Sequence, residues 1–300
     1  MTGAQREDLS GRSGLDERFL GVPVPLPGPV ESVPTVRLEY THFSVLLRTD
    51  RRLAAVTGVA VDGALLQDLD RSGIDWRLDP RLPADQQTGE DVYARNDLDR
   101  GHLVRRADAV WGSTTAEAQQ GNRDTFHYTN AAPQAASFNQ GETLWLGLET
   151  LVLENAATYD RRLVMFTGPV LDDDDPRYRG VQVPLRFFKV VAFLDGGQQG
   201  SDPGPLAAAA YLLDQTPQVE DVPGVLAGAQ AAGDPPPLGP FRTFGVPVAD
   251  VASVTGLDLG PLVDADIRPA VGVQAGSAPG APSGWVRLRT AADVVRSLGR

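Results

Sequence analysis

Three observations along the 300-residue chain predict an α+β fold. Apolar and polar residues alternate over Val36–Leu47, and a second β-branched run follows at Leu53–Val61, which predicts two strands joined by a turn at Thr49–Arg52. Leu144, Leu148, Leu151, Val152 and Asn155 recur at helical spacing across Thr143–Ala157, which predicts one clear amphipathic helix. The stretches between are rich in Pro, Gly and polar residues and predict loops. A chain of this length buries about three quarters of the surface its unfolded form exposes, so a substantial core is expected.

The elements follow in order. Residues 1–34 carry Pro23, Pro25, Pro27, Pro29 and Pro34, a spacing that breaks helices and removes strand donors, and predict an extended Pro-rich N-terminal arm. The main domain is expected over 35–270. Within it Asp68–Asp97 predicts a long surface loop, and Leu163–Thr167 and Phe187–Leu194 predict strands. The Asp172–Asp175 run between them predicts a solvated acidic loop. It is no EF-hand, because Arg177 and Val183 fall where that loop needs Gly and Glu. Ala207–Leu213 reads equally as helix or strand, Pro217–Pro240 as a loop, and Pro247–Thr255 as a short helix closed by Gly256. Residues 271–300 read as a linker, Gly276–Gly284, and a C-terminal docking segment, Trp285–Leu298.

Composition narrows the function. With 42% apolar and 22% charged residues the chain has the make-up of a globular protein, and no apolar run approaches the roughly 18 residues of a membrane span. The absence of cysteine excludes disulfide scaffolds, thiol nucleophiles and thiolate metal sites. Met1–Leu20 holds no signal-peptide core, so a cytoplasmic location is the default expectation, with leaderless export open. A net charge of −12 argues against a broad basic grip on nucleic acid but leaves room for a local site. Lys189 is the only lysine, so phosphate recognition falls to arginine, the better fork.

Any imidazole chemistry rests on His42, His102 or His127. His42 and His127 sit in strand-like contexts that suit packed, hydrogen-bonded rings. His102 closes Asp99-Arg100-Gly101-His102 directly after the long loop, close in sequence to Arg95, Asn96, Arg105 and Arg106. On composition alone a surface turn with an Asp–Arg pair is narrowly the favoured reading of that tetrapeptide. No G-x-S-x-G, P-loop or H-E-x-x-H pattern competes for the role of active site.

A wider constellation reverses that balance. Asp99-Arg100-Gly101-His102, then Thr129-Asn130-x-x-Pro133-Gln134, then Asn139-Gln140 and Trp145-x-x-Leu148-Glu149, resembles the DNA/RNA non-specific endonuclease family, the ββα-metal or His-Me finger nucleases of the endonuclease G type. Tyr40-Thr41-His42-Phe43-Ser44, the Thr167-Gly168-Pro169 turn, Phe188-Lys189-Val190-Val191 and Leu212-Leu213-Asp214-Gln215 agree, and the resemblance covers about Val36 to Asp266. It implies a ββα-metal, His-Me finger fold. A central antiparallel sheet would be flanked by helices and long loops, and the finger would run from the strand bearing His102 to the helix bearing Glu149.

The same resemblance implies a Mg2+-dependent, sugar-non-specific endonuclease acting on DNA and RNA and leaving 5′-phosphate ends, with Mn2+ a substitute ion and an inhibitor protein a further partner. His102 would be the general base, Asn139 the metal ligand and Arg100 the phosphate contact, while Asn130 positions the histidine strand. Glu149 would hold the metal's water shell, with Glu142 as rival, because the Asn139-to-glutamate spacing is two residues longer than the family's. Gly101 would let the backbone approach substrate closely. Ile74 stands where some members carry a phosphate-binding arginine, so Arg77, Arg81 or Arg95 is expected to replace it. An alternative is a catalytically silent relative that binds nucleic acid or a protein through the same scaffold.

Overall fold

The computed structural model describes residues 7–70, 73–135, 153–154, 156–158, 160–195, 204–239, 242–268 and 284–289. Its strands are β1 Gly28–Pro29, β2 Thr35–Glu39, β3 Phe43–Arg48, β4 Leu53–Asp62, β5 Leu98–His102, β6 Ala131–Ala135 and β7 Arg162–Val170. Then come β8 Arg177–Tyr178, β9 Val181–Gln182, β10 Arg186–Leu194, β11 Leu206–Asp214, β12 Arg242–Val246, β13 Leu257–Asp258 and β14 Val286–Leu288. Eight of them form one antiparallel sheet in the order β14-β12-β11-β10-β7-β4-β3-β2.

The sheet is buried on both faces, which is why its central strands read as continuous apolar runs. Phe187, Val191, Tyr211, Leu213, Val59 and Val61 face one core, while Phe188, Val190, Leu212, Val56 and Ala60 face the other. The first core also takes Leu98, Leu103, Val104, Tyr128 and Ala132 from the segment containing His102. The second takes Leu15, Leu20 and Val24 of the N-terminal arm, with Val248 and Val251 of a late helix, Val248–Thr255. Leu98–Val104 and Tyr128–Ala132 therefore stack on one side of the sheet, while Leu15–Val24 of the arm, Trp111 and the late helix cover the other.

Several predicted elements change. Val36–Leu47 is not one strand but the hairpin β2–β3, reversing at Tyr40–His42, where His42 adopts a left-handed φ of 70°. Its ring stacks on Trp111 at 3.7 Å and its Nε2 lies 3.0 Å from the Trp111 carbonyl, which holds the turn. Ala207–Leu213 resolves as strand, because β11 pairs on both sides and buries both faces, its alanines alternating between the two cores. Pro217–Pro240, expected as a loop, contains a helix, Val222–Ala232, opened by the Asp221 side chain on the Gly224 N–H and closed by Gly233 at a φ of 75°. The expected acidic loop is only partly solvated. Asp175 is buried with its carboxylate on the Asp172 and Leu185 N–H groups and on Arg51, and burial pushes its pKa up to about 6. Thr143–Ala157 lies mostly outside the described residues, of which 153–154 and 156–158 are helical. No helix among the described residues is long and apolar enough to cross a membrane.

The arm is fastened by charge. Glu7 receives the Arg77 guanidinium at 2.6 and 3.0 Å and lies 3.1 Å from His127 Nε2, while Arg12 reaches the buried Asp124 carboxylate at 2.8 Å. His127, then Arg77, holds the Glu7 carboxyl far below its ordinary value of 4.5. A depressed folded pKa means that this contribution is complete above about pH 4.5 and fades as the pH falls towards the folded value. Glu7→Gln is therefore expected to cost about 1–3 kcal/mol at pH 7. Thermal melts should show that deficit shrinking at pH 3; a deficit that does not change with pH would assign no role to the charge.

Candidate active site

β5 pairs with β6 in a two-stranded antiparallel sheet whose register sets Arg100 opposite Pro133, Gly101 opposite Ala132 and His102 opposite Ala131. Side chains two residues apart on a strand share a face, so Arg100 and His102 project together, and both are partly exposed. Aromatic rings surround them. Trp76 lies 4.5 Å from the His102 ring and Phe126 meets it edge-on at 5.1 Å. Tyr128 is 5.7 Å from Trp76, and Tyr93 stacks on Tyr128 at 5.9 Å. The Arg100 guanidinium sits 5.5 Å over the Tyr93 ring and pairs with Glu90, which also accepts the Tyr128 hydroxyl at 2.6 Å. Burial, then Glu90, pushes the Tyr128 phenol up to about 12, and the same hydroxyl followed by Arg100 holds the Glu90 carboxyl below its usual value.

Asn130 fixes where the strand ends. Fully buried, it accepts the Val104 N–H at 2.9 Å on its amide oxygen, and its amide nitrogen donates to the carbonyls of Val104 and Thr125 at 2.9 and 3.0 Å. Its own carbonyl takes the Leu103 N–H, so the two residues following His102 are anchored by this one asparagine. Its role is positional, since all of these partners are backbone. Gly101 departs from expectation: a Cβ there would lie 2.0 Å from Gln134 Cδ, so the space over it belongs to the Gln134 side chain and not to an approaching ligand.

Thr167-Gly168-Pro169, expected as a turn, continues β7 and pairs with Phe187–Lys189 of β10, whereas two further motifs fasten the β5–β6 pair. The Tyr40 hydroxyl bonds Asp79 and lies 2.6 Å from Thr129 Oγ1, and Thr41 gives both its N–H and its hydroxyl to Asp124. Gln215 accepts the Ala135 N–H at 3.0 Å and donates to the carbonyls of Pro133 and Pro184, stapling β6 to the end of β11.

The expected substrate arginines separate. Arg77 is committed to Glu7 and the Arg123 carbonyl, and Arg81 to Asp79 and the Glu39 carbonyl above the Tyr40 ring. Both guanidinium groups are engaged by carboxylates and backbone carbonyls of the protein. Arg95 stays exposed at a φ of 58°, with no hydrogen bond or ion pair among the described residues. Asn139, Glu142 and Glu149 lie outside the described residues. Glu90, Tyr93, Phe126 and the stacking face of Trp76 escaped sequence reasoning; only the polar loop's position ahead of Asp99 hinted that it folds back on the motif.

A fold of this type, a large antiparallel sheet beside a two-stranded antiparallel pair with a histidine and an arginine on one face, is that of the ββα-metal nucleases. The chain belongs to the DNA/RNA non-specific endonuclease family, which matches residues 27–266. A relative from Sinorhizobium fredii (strain NBRC 101917 / NGR234), "Uncharacterized protein y4fB", is 35% identical over 95% of this chain. The match covers 43% of that relative, so the chain spans less than half its length. Among solved structures, the crystal structure of the EndoG/EndoGI complex, titled for the mechanism of EndoG inhibition, superposes with a TM-score of 0.55 at 19% identity, covering 80% of this chain and 89% of that one.

Asn130→Ala leaves the Val104 N–H and the Val104 and Thr125 carbonyls without their partner, and each such buried group costs about 1–3 kcal/mol. Urea unfolding should record a loss of at least that size. Asn130→Asp, which keeps the acceptor but lacks the donors, should lose most of it too.

Proposed function

We propose that this chain is a divalent-metal-dependent endonuclease that hydrolyses phosphodiester bonds of DNA and RNA with little sequence preference, leaving 5′-phosphate ends. The observation that carries this reading is the common face of Arg100 and His102 on β5 in a chain of this family. A neutral imidazole at His102 takes the proton of the attacking water, a role suited to a group whose ordinary pKa lies near 6.5. The rings of Trp76 and Phe126 orient that imidazole. Arg100 offers its fork to the scissile phosphate, and Arg95 extends the positive surface along the backbone. Contacts limited to phosphate and sugar explain the lack of base preference.

Among the described residues no group of three or more His, Asp or Glu side chains could hold an ion. The resemblance to the family assigns Mg2+ to the amide oxygen of Asn139, a hard donor suited to an ion that keeps several waters, with Glu149 holding those waters and Mn2+ as substitute. Bound there, the ion would supply charge neutralisation at the phosphoryl group and the departing oxygen. The structural neighbour comes from a complex that explains EndoG inhibition, which supports an inhibitor protein as a further partner.

Purified chain incubated with supercoiled plasmid and Mg2+ is expected to nick and then degrade it. EDTA and Asn139→Ala should abolish cleavage, and His102→Ala should lower the rate by about 10²–10⁴-fold. No cleavage by a folded wild-type chain with any divalent ion would overturn the proposal in favour of a silent binding scaffold.

A further inference from the structure

Glu90 lies at the mouth of the site and belongs to none of the motifs that define it. It opens a single helical turn, Glu90–Tyr93, whose Asp91 carbonyl and the Ala94 carbonyl just beyond accept Arg179 Nη1 at 2.9 and 2.7 Å, so the backbone is pinned independently of the Glu90 side chain. That side chain is 57% exposed, against 31% for Arg100. It engages the guanidinium through Nη2 alone, and the buried Nε of Arg100 has no hydrogen-bond partner. Carboxylate and phosphate are both oxyanions that match an arginine fork, so a single guanidinium can satisfy either. Tyr93 lies beneath the guanidinium, and the Tyr128 hydroxyl donates to the same Glu90 carboxylate.

We propose that Glu90 is a built-in competitor for Arg100: its carboxylate occupies the guanidinium in the absence of nucleic acid and is displaced by a backbone phosphate, so that Glu90 sets how tightly the chain holds its substrate. The inference rests on the proposed function, because it takes Arg100 as the phosphate contact. An ion pair with one partner half in water is weak, so the carboxylate yields at small cost and its removal produces a modest gain.

The test measures binding of a fluorescent single-stranded oligonucleotide by anisotropy in EDTA, beside plasmid cleavage in Mg2+ by the same full-length samples. Glu90→Gln keeps the size of the side chain and an acceptor for Tyr128, and is expected to bind up to about fivefold tighter than wild type. Asp91→Asn removes the same charge one residue away and is expected to change binding far less. In an Arg100→Ala background the Glu90→Gln gain should vanish. Binding by Glu90→Gln equal to or weaker than wild type overturns the inference, as does a gain matched by Asp91→Asn or one that survives without Arg100. If wild type cleaves plasmid while Glu90→Gln shows no gain, this inference alone falls. A wild type that neither binds nor cleaves nucleic acid removes the proposed function and this inference with it.

Discussion

The site depends on one buried amide. Where β5 ends, the chain leaves the β5–β6 pair and its backbone groups lose their ladder partners in a place that water does not reach. Asn130 satisfies them with an acceptor on one side and donors on the other. Few side chains of that size offer both: aspartate has no donor and leucine has neither. Because His102 and Arg100 immediately precede this anchor on the same strand, a hydrogen-bonding requirement of the backbone fixes where they leave β5, and the rings of Trp76, Phe126 and Tyr93 pack against their side chains. A buried polar group left half-satisfied would cost more than the net stability gained from a typical hydrogen bond, which makes the position intolerant of approximation.

Around that anchor, acidic residues do the work of holding arginines. Asp79 secures Arg81, Glu7 secures Arg77, and the buried Asp124 gathers Arg12, Thr41 and Gln120. In a chain with a net charge of −12, several guanidinium groups of the described residues are thereby taken up as fastenings, while Arg95 faces outwards ahead of β5. Local potential and net charge are separate properties, and a confined positive site on an acidic surface is consistent with binding that salt weakens readily.

The long apolar strands β4, β7 and β10 were legible because burial on both faces writes itself as an uninterrupted hydrophobic run. The β2–β3 reversal was not, since it turns on a non-glycine residue, His42, in a left-handed conformation that only the stack on Trp111 explains. The helix Val222–Ala232 carried its signals, Asp221 ahead of Pro223 and Gly233 behind, but a Pro- and Gly-rich neighbourhood masked them. At the site, His102, Arg100 and Asn130 stood out through motif spacing. Glu90, Tyr93 and Trp76 did not, because they arrive from an irregular loop whose path is decided by tertiary packing. The partners of Arg77 and Arg81 were hidden for the same reason: sequence gives an arginine's charge but not its partner.

The stretch matched by the family begins at residue 27, yet the carboxylate that meets His127 and Arg77 and the guanidinium that meets Asp124 both lie before it. Asp124 and His127 are themselves buried, a few residues from Asn130. Trimming the chain to its region of similarity would retain every residue expected to face a nucleotide while leaving a buried carboxylate and a buried imidazole without their counter-groups. The boundary drawn by shared ancestry and the boundary drawn by electrostatic self-sufficiency are different lines here, and the second encloses the arm.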